Sequence, residues 1–193
     1  MDLKANLSRY VAVNQQEAAD KKLMLDLMET QEHLFTRINK CAHFTASAWV
    51  VNQGRDKVLM AYHNLYDSWA WLGGHADGNK NLLEVAIKEV QEESGLKNVK
   101  AVTNEIFSIE VLTVDGHEKK GLYEPSHLHL NVTYLLEADE NEPLINKPDE
   151  NSEVAWFKLD DAVAASNEEW FRKRIYPKLN AKLKQYLDGS LAK

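Results

Sequence analysis

The chain has 193 residues, with 23 basic and 30 acidic side chains and hydrophobic residues at 44% of positions. This balance is typical of a globular protein, and the length suits one compact domain with added elements. A single cysteine excludes an intramolecular disulfide framework and a zinc site made of cysteines alone. The net charge of −7, without a dense stripe of lysine or arginine, argues against a nucleic-acid polymer as a partner.

The sequence also predicts no interaction with a membrane. The first residues, MDLKANLSRY, lack the apolar core of a signal peptide. No apolar run approaches the roughly 20 residues that are needed to span a bilayer. We therefore expect a cytoplasmic protein.

Apolar residues recur at helical spacing in the first part of the chain, for example at Leu3, Leu7 and Leu23, and neither proline nor glycine interrupts this stretch. We expect a helical N-terminal arm over residues 1–40, added to a main domain over residues 41–193. Such an arm would pack on the domain or on a second subunit, which makes a homodimer a reasonable expectation.

The main domain begins with a pattern that is typical of strands. Two runs rich in β-forming residues, 44–52 and 57–63, flank a polar turn and predict a hairpin. Further strands are predicted at 106–114, 127–137 and 153–157, and a C-terminal helix at 167–187 that must break or kink near Pro177. Strands and helices alternate, which predicts an α/β layered domain.

A well-bounded helix is predicted between the hairpin and the later strands. Asn81 and Glu84 have the spacing of a capping box at its start, and Gly95 suits a left-handed cap at its end. Lys88 lies one turn after Glu84, so we expect these two side chains to pair.

Three carboxylates share one face of this helix, because Glu89, Glu92 and Glu93 stand at positions i, i+3 and i+4. They repel one another, and a divalent cation that prefers oxygen ligands would relieve the repulsion. The alternative is a solvated acidic surface, which is common on helices. Gly73 and Gly74 precede the helix, where they allow close approach to a ligand or a positive φ.

The segment from Gly73 to Leu96 resembles the Nudix box, whose pattern is G-x5-E-x7-R-E-U-x-E-E-x-G-U, with U a bulky aliphatic residue. The matching positions at the end of the box are Glu89, Val90, Glu92, Glu93, Gly95 and Leu96. Counting back places the first glycine of the box at Gly74. Two positions depart from the pattern, because Lys80 stands where the box has a glutamate and Lys88 where it has an arginine.

The resemblance implies a fold and a reaction. The expected fold is a Nudix-type α/β/α sandwich around a mixed sheet, with the N-terminal helical arm as an addition. The expected reaction is hydrolysis of a phosphoanhydride bond in a small molecule, a nucleoside diphosphate linked to another moiety, by attack of water at phosphorus. Mg²⁺ or Mn²⁺ is the implied cofactor.

The resemblance also implies roles for particular residues. Glu89 and Glu93 are the leading metal ligands, with Glu92 close behind, and all three count as catalytic together with Lys88. A carbonyl group of the Gly73–Gly74 turn would complete the metal shell and contact substrate. The general base varies within the family, and the acidic candidates downstream of the box are Asp149, Glu150 and Glu153, besides a box glutamate itself.

Further candidates for contact with substrate lie outside the helix. His127 and His129 alternate with leucines, so both imidazoles face the same side of a predicted strand, with Asn131 and Thr133 beyond them. This side either lines a substrate cleft or is a half-exposed polar surface. Trp71 either stacks on a base of the substrate or packs in the core.

Two alternative functions remain on sequence alone. One is a nucleotide-binding module that keeps the fold without catalysis, which Lys80 and Lys88 would favour. The other is an isopentenyl-diphosphate isomerase, whose box is similar but whose chemistry needs a cysteine. Cys41, the single cysteine, stands in no matching motif, so this alternative is disfavoured.

Overall fold

The computed structural model describes residues 2–119 and 121–190. Met1 of the expected N-terminal arm, and Lys120 and residues 191–193 of the expected main domain, lie outside the described residues. Its strands are β1 (Ala42–Val51), β2 (Lys57–His63), β3 (Ser68–Ala70), β4 (Leu72–His75), β5 (Lys100–Ala101), β6 (Ser108–Val114), β7 (His117–Lys119), β8 (Leu122–Glu124), β9 (His127–Glu137) and β10 (Asn151–Lys158). Its α-helices are α1 (Leu3–Arg9), α2 (Gln15–Thr30), α3 (Leu82–Ser94), α4 (Leu159–Ala165) and α5 (Tyr176–Leu187). No helix within the described residues has both the length and the apolar character that crossing a bilayer requires.

A mixed sheet is built around β1 and β9. These strands run parallel and pair over their whole length, from Ala42 opposite Leu128 to Val51 opposite Glu137. The strand order is β10-β2-β1-β9-β5, with β3 beside β2, β4 beside β1 and β6 beside β9. The predicted hairpin and the three later strands are confirmed, with bounds close to those expected.

Helices cover both faces of this sheet, because successive side chains of a strand point to opposite sides. Phe44 and Ala46 of β1 pack into one hydrophobic core with α3 and the N-terminal helices. Trp49 points the other way and packs with Tyr176 and Leu179 of α5 in a second core. The α/β/α sandwich implied by the resemblance is therefore confirmed.

The N-terminal segment is helical only in part. α1 and α2 form as expected, but α2 ends at Thr30, and residues 31–41 contain no helix. The chain turns here because His33 adopts a left-handed conformation, with φ of 59°. Helix α2 lies along the edge of β6. Gln16 donates a hydrogen bond to the carbonyl of Ile109 at 3.3 Å, and Asp20 accepts one from the backbone N–H of Val111 at 3.0 Å.

A buried ionic network joins this segment to the C-terminal helix. Lys182 of α5 lies 2.9 Å from Glu17 of α2, and Lys178 lies 2.8 Å from Glu110 of β6. All four side chains are almost completely shielded from solvent. Burial by itself raises the pKa of Glu17, but the charges of Lys182 and Lys178 outweigh that effect and lower it overall. The two ends of the chain are therefore held by ion pairs as well as by apolar contacts.

The C-terminal helical region departs from a regular helix where we expected it to. A π-helical turn over Phe171–Ile175 leads into α5, and Pro177 lies in the first turn of α5. Proline is tolerated there because the first turn of a helix needs no N–H donor from it. The predicted start at residue 167 is too early, because residues 166–168 form no helix.

Candidate active site

Helix α3 carries the acidic residues of the box, and its two ends differ in how well they follow the prediction. Gly95 adopts the expected left-handed conformation, with φ of 74°, and ends the helix. The predicted capping box is wrong, because the side chain of Asn81 makes no capping hydrogen bond. Glu84 instead accepts a hydrogen bond of 3.4 Å from Asn79, which precedes the helix.

Three carboxylates meet beside α3. Oxygen atoms of Glu89, Glu93 and Glu150 all lie within 4.8 Å of one another, and Glu150 comes from the loop between β9 and β10. Burial raises the pKa of Glu93 well above its ordinary value, and the charges of Glu89 and Glu150 raise it further. Burial likewise raises the pKa of Glu89. These oxygen ligands and their mutual repulsion fit a hard divalent cation.

Gly73 and Gly74 lie within strand β4, so the expected turn at this place is wrong. They pair with Ser47 and Ala46 of β1 in an antiparallel ladder. A Cβ atom added to Gly74 would lie 2.5 Å from the carboxyl carbon of Glu89, closer than real contacts allow. These glycines therefore serve close packing, which brings the Glu89 carboxylate against the strand. The backbone N–H of Gly73 also donates to Glu93.

Glu92 lies outside the group of three carboxylates and is held by lysines. Lys88 lies 3.0 Å from Glu92, so the expected pair between Lys88 and Glu84 is wrong. This hydrogen bond raises the pKa of Lys88. Lys147, in the loop before β10, lies 3.9 Å from Glu92 and 3.1 Å from Glu150. The lysines thus connect the box helix to the loop that supplies the third carboxylate.

Of the downstream acidic residues, Glu150 alone belongs to the carboxylate cluster among the described residues. Asp149 and Glu153 are both exposed to solvent. The long loop after β9 therefore brings one of the three candidates for the general base to the box helix.

A cleft with a volume of about 130 Å³ opens next to β1, β4 and β9. Its lining is mostly basic and aromatic, and consists of Arg37, Lys40, His43, His63, Leu65, Tyr66, His75, Val114, His117, Glu124, His127 and His129. His127 and His129 face the same side, as predicted, with their Nε2 atoms 3.2 Å apart. The sequence analysis missed His43, which β1 places opposite His129 in register.

The two long cationic side chains of the cleft are paired with carboxylates. A hydrogen bond from Arg37 to Asp77 raises the pKa of the guanidinium most, and the charge of Glu89 raises it further. Lys40, the other long basic side chain of the cleft, lies 3.0 Å from Glu124. Basic groups that suit an anionic ligand are therefore present beside carboxylates that suit a cation.

The polar row beyond the histidines is buried and fully hydrogen-bonded. Asn131 accepts hydrogen bonds from Thr45 at 3.0 Å and Ser47 at 2.8 Å, and donates to Glu110 at 3.0 Å. Thr133 also donates to Glu110, at 2.9 Å. This network ties three strands together beneath the cleft, so the imidazoles stand on a rigid base.

Trp71 packs away from these polar groups. Its ring contacts Phe171 and Tyr176 edge-on, with centroids 5.6 and 6.0 Å apart, and belongs to the core beneath α5. Trp69 likewise contacts Tyr62 and Phe157. These contacts provide a packing role for both tryptophans, and neither lines the cleft.

Comparisons with known proteins agree with this geometry. The model of the NUDIX domain matches residues 42–179. A protein of Lactococcus lactis subsp. cremoris named "Probable DHNTP pyrophosphohydrolase" is 27% identical over 160 residues, which cover 82% of this chain and 88% of that protein.

Solved structures show the same fold at low sequence identity. The Ap4A hydrolase of C. elegans, in a binary complex, superposes with a TM-score of 0.51 at 17% identity, over 76% of this chain and 98% of that one. A NUDIX family hydrolase from Clostridium perfringens has a TM-score of 0.51 at 22% identity, over 75% and 97% of the two chains. The Escherichia coli dihydroneopterin triphosphate pyrophosphohydrolase has a TM-score of 0.51 at 14% identity, over 70% and 92%.

Proposed function

The chain belongs to the NUDIX domain family and is a Nudix hydrolase, and from this premise we propose that it hydrolyses a triphosphate-bearing small molecule in a reaction that depends on Mg²⁺ or Mn²⁺. The observation that carries the proposal is the meeting of three carboxylates beside a basic cleft. The carboxylates suit a divalent cation, whereas the cleft suits the anionic groups of a phosphoanhydride.

Glu89, Glu93 and Glu150 would hold the cation. When bound, such an ion neutralises phosphate oxygens and lowers the pKa of a coordinated water. The residues of the chain position the substrate and the attacking water, and such positioning is the main requirement of phosphoryl transfer. Glu93 is oriented by the backbone N–H of Gly73, and Glu89 is pressed against Gly74.

The cleft would bind the substrate. Arg37 and Lys40 are the long cationic side chains at its edge, and His127 and His129 line its floor. We assign contact with the phosphate chain to Arg37, because it lines the cleft and its planar guanidinium matches the geometry of phosphate oxygens. Glu150 is our candidate for accepting the proton of the attacking water at a carboxylate oxygen, because its loop brings it into the cluster.

The substrate class follows from the named relative. That protein is described as a DHNTP pyrophosphohydrolase, so we propose a triphosphate ester of a fused heterocycle, either a pterin or a nucleoside, with release of pyrophosphate. The basic cleft and the carboxylates support a polyphosphate ligand but do not choose between the heterocycles.

A product assay over a substrate panel tests this proposal. The purified chain is incubated with dihydroneopterin triphosphate, the nucleoside triphosphates and dinucleoside polyphosphates, each with Mg²⁺, Mn²⁺ or a chelator. We expect pyrophosphate release from at least one triphosphate, dependent on the ion and greatly reduced in Glu93→Gln. Glu84→Gln is the matched control, because Glu84 lies on the same helix outside the cluster. A folded chain that binds but hydrolyses none of the panel would contradict the proposal and favour a binding module.

A further inference from the structure

Four histidines converge in the cleft, at a place separate from the carboxylate cluster. His43, His75, His127 and His129 each offer a ring nitrogen, and these nitrogens all lie within 4.8 Å of one another. We propose that these four imidazoles form a binding site for one late first-row transition-metal ion, with Zn²⁺ as its representative. This inference concerns ion binding alone and does not depend on the proposed hydrolysis.

The hydrogen bonds of two rings determine which nitrogen is left to bind an ion. Nδ1 of His43 lies 3.2 Å from the carbonyl oxygen of Asn39, and Nδ1 of His127 lies 2.8 Å from that of Pro125. A carbonyl oxygen only accepts, so each Nδ1 must carry the proton. Each neutral ring therefore has its lone pair on Nε2. Metal-binding histidines are typically held in this way, with the other nitrogen donating to a carbonyl group.

Two Nε2 atoms of the cluster are acceptors, and one of them has no partner in the described part of the chain. Nε2 of His43 is buried and has no hydrogen-bond partner among the described residues. Leaving such an acceptor unsatisfied is costly, and each case in a native protein needs an explanation such as an ion. Nε2 of His127 carries a lone pair and accepts a hydrogen bond of 3.2 Å from Nε2 of His129, so an ion bound between these rings would replace this hydrogen bond.

The rings are close together and held by strands. Their centroids lie 5.1 Å apart for His43 and His75, 4.8 Å for His43 and His127, and 5.1 Å for His43 and His129. His43 and His129 are directly opposite each other in the parallel pair of β1 and β9. A donor set on paired strands is more precisely placed than one on loops.

Two long basic side chains of the cleft are paired with carboxylates. The nearby cations do not oppose an incoming ion strongly, because Arg37 is paired with Asp77 and Lys40 with Glu124.

The donor set indicates the class of ion. Imidazole nitrogen suits Zn²⁺, Ni²⁺, Co²⁺ and Cu²⁺, whereas Mg²⁺ prefers oxygen. Tetrahedral zinc binds nitrogen at about 2.0–2.1 Å, which places the nitrogens about 3.4 Å apart. The ring nitrogens, which all lie within 4.8 Å of one another, would have to move closer together to reach that spacing. The two clusters thus suit different ions. The cleft offers nitrogen ligands, whereas the cluster beside α3 offers oxygen ligands.

Calorimetric titration with Zn²⁺ tests the site. The full chain is first stripped with a chelator and then titrated in excess Mg²⁺, which occupies oxygen sites. We expect one equivalent of Zn²⁺ to bind to the native chain and to raise its melting temperature. His127→Gln and His129→Gln should each weaken this binding by about 100-fold or more, since even the loss of a partner of a metal-binding histidine costs about 10- to 100-fold.

Two controls separate this site from other zinc ligands. His33→Asn removes a histidine outside the group and should leave Zn²⁺ affinity unchanged, because asparagine tolerates the left-handed conformation found there. Glu93→Gln should also keep the bound equivalent. His127 lies at the first position of β9, so that variant serves if His129→Gln fails to fold. The proposal is overturned if the native chain binds no stoichiometric Zn²⁺, if a folded His127→Gln binds it as tightly, or if Glu93→Gln abolishes it.

Discussion

Glu93 has an unusual environment for a glutamate, because the residue is only 7% exposed and its carboxylate faces two other carboxylates. A raised carboxyl pKa means that the ionised side chain opposes folding at every pH above its ordinary pKa. The cation that we propose for this cluster would relieve the same repulsion.

The first prediction follows from this conflict. In the presence of a chelator at neutral pH, Glu93→Gln should melt a few degrees above the native chain, because a gain on the order of 1 kcal/mol corresponds to about 2–4 °C at this length. Saturating Mg²⁺ should reduce or reverse the difference, because it stabilises the native chain more. A variant that melts below the native chain in chelator would show that the ionised Glu93 is not strained.

A second residue-scale prediction concerns the glycine that touches Glu89. Gly74→Ala places a methyl group where the Glu89 carboxylate now lies, so we expect Mg²⁺ affinity to fall by about tenfold or more. Gly54→Ala is the matched control, because its new methyl group meets the flexible side chain of Asp56 in a distant turn. Calorimetry with Mg²⁺ measures both variants, and equal affinities would mean that the carboxylate moves aside without consequence.

At the scale of single elements, the elements that the sequence predicted well have a strong local pattern. The hairpin of β1 and β2 has β-forming runs around a polar turn, and β9 alternates polar and apolar residues from His127 to Tyr134. Helix α3 ends at Gly95 because glycine alone adopts the left-handed conformation without cost. In each case the information lies within a few neighbouring residues.

Elements whose form depends on distant residues were harder to predict. Gly73 and Gly74 are typical of a turn by composition, yet β1 binds them as strand β4. Lys88 could reach Glu84, one turn before it, or Glu92, one turn after it. Asn79 donates a hydrogen bond to Glu84, and Lys88 pairs with Glu92. The sequence pattern contains both choices, and the tertiary contacts decide between them.

The candidate site was predictable only where its residues lie close together in sequence. Spacing on one helix predicted Glu89, Glu92 and Glu93 together, of which the structure groups Glu89 and Glu93, and alternation on one strand predicted His127 and His129. Glu150 was one of several acidic candidates, because its place beside α3 depends on the path of a long loop. His43 was missed, because it meets the other histidines only through the parallel pairing of β1 with β9.

At the scale of the whole molecule, buried charges connect the two ends of the chain across the sheet. Glu17 and Lys182 are separated by 165 positions in sequence, and each is almost fully shielded from solvent. A buried pair gives little net stability, but the removal of one partner leaves an uncompensated charge. The N-terminal helices are therefore expected to unfold together with the domain rather than as a separate arm.

Replacing one lysine tests this coupling. Lys182→Met should lower the free energy of unfolding by about 3 kcal/mol, the lower end of the usual cost, because Lys178 remains 3.3 Å from Glu17. Lys184→Met, at an exposed position of the same helix, should change it by less than about 0.5 kcal/mol. Urea denaturation followed by circular dichroism measures both. Equal small effects would mean that the buried network does not hold the ends of the chain.

The same network predicts a dependence on pH. The net lowering of the pKa of Glu17 stabilises the fold at pH values above its ordinary carboxyl pKa of 4.5, and this contribution is lost as the pH falls toward the lowered value. The native chain should therefore lose unfolding free energy in acid more steeply than Glu17→Gln, in urea titrations at a series of pH values below 5. Parallel curves would exclude Glu17 as a source of acid sensitivity.

The most direct test of the account is the rate of pyrophosphate release from the best triphosphate substrate, measured against Mg²⁺ concentration for native, Glu150→Gln and Glu153→Gln chains. Glu150 belongs to the carboxylate cluster, whereas Glu153 is exposed on β10. We predict that Glu150→Gln needs at least about tenfold more Mg²⁺ for half-maximal rate or is slower at saturation, while Glu153→Gln matches the native chain. A Glu150→Gln chain with native rate and native Mg²⁺ dependence would contradict the central claim that this cluster holds the catalytic ion.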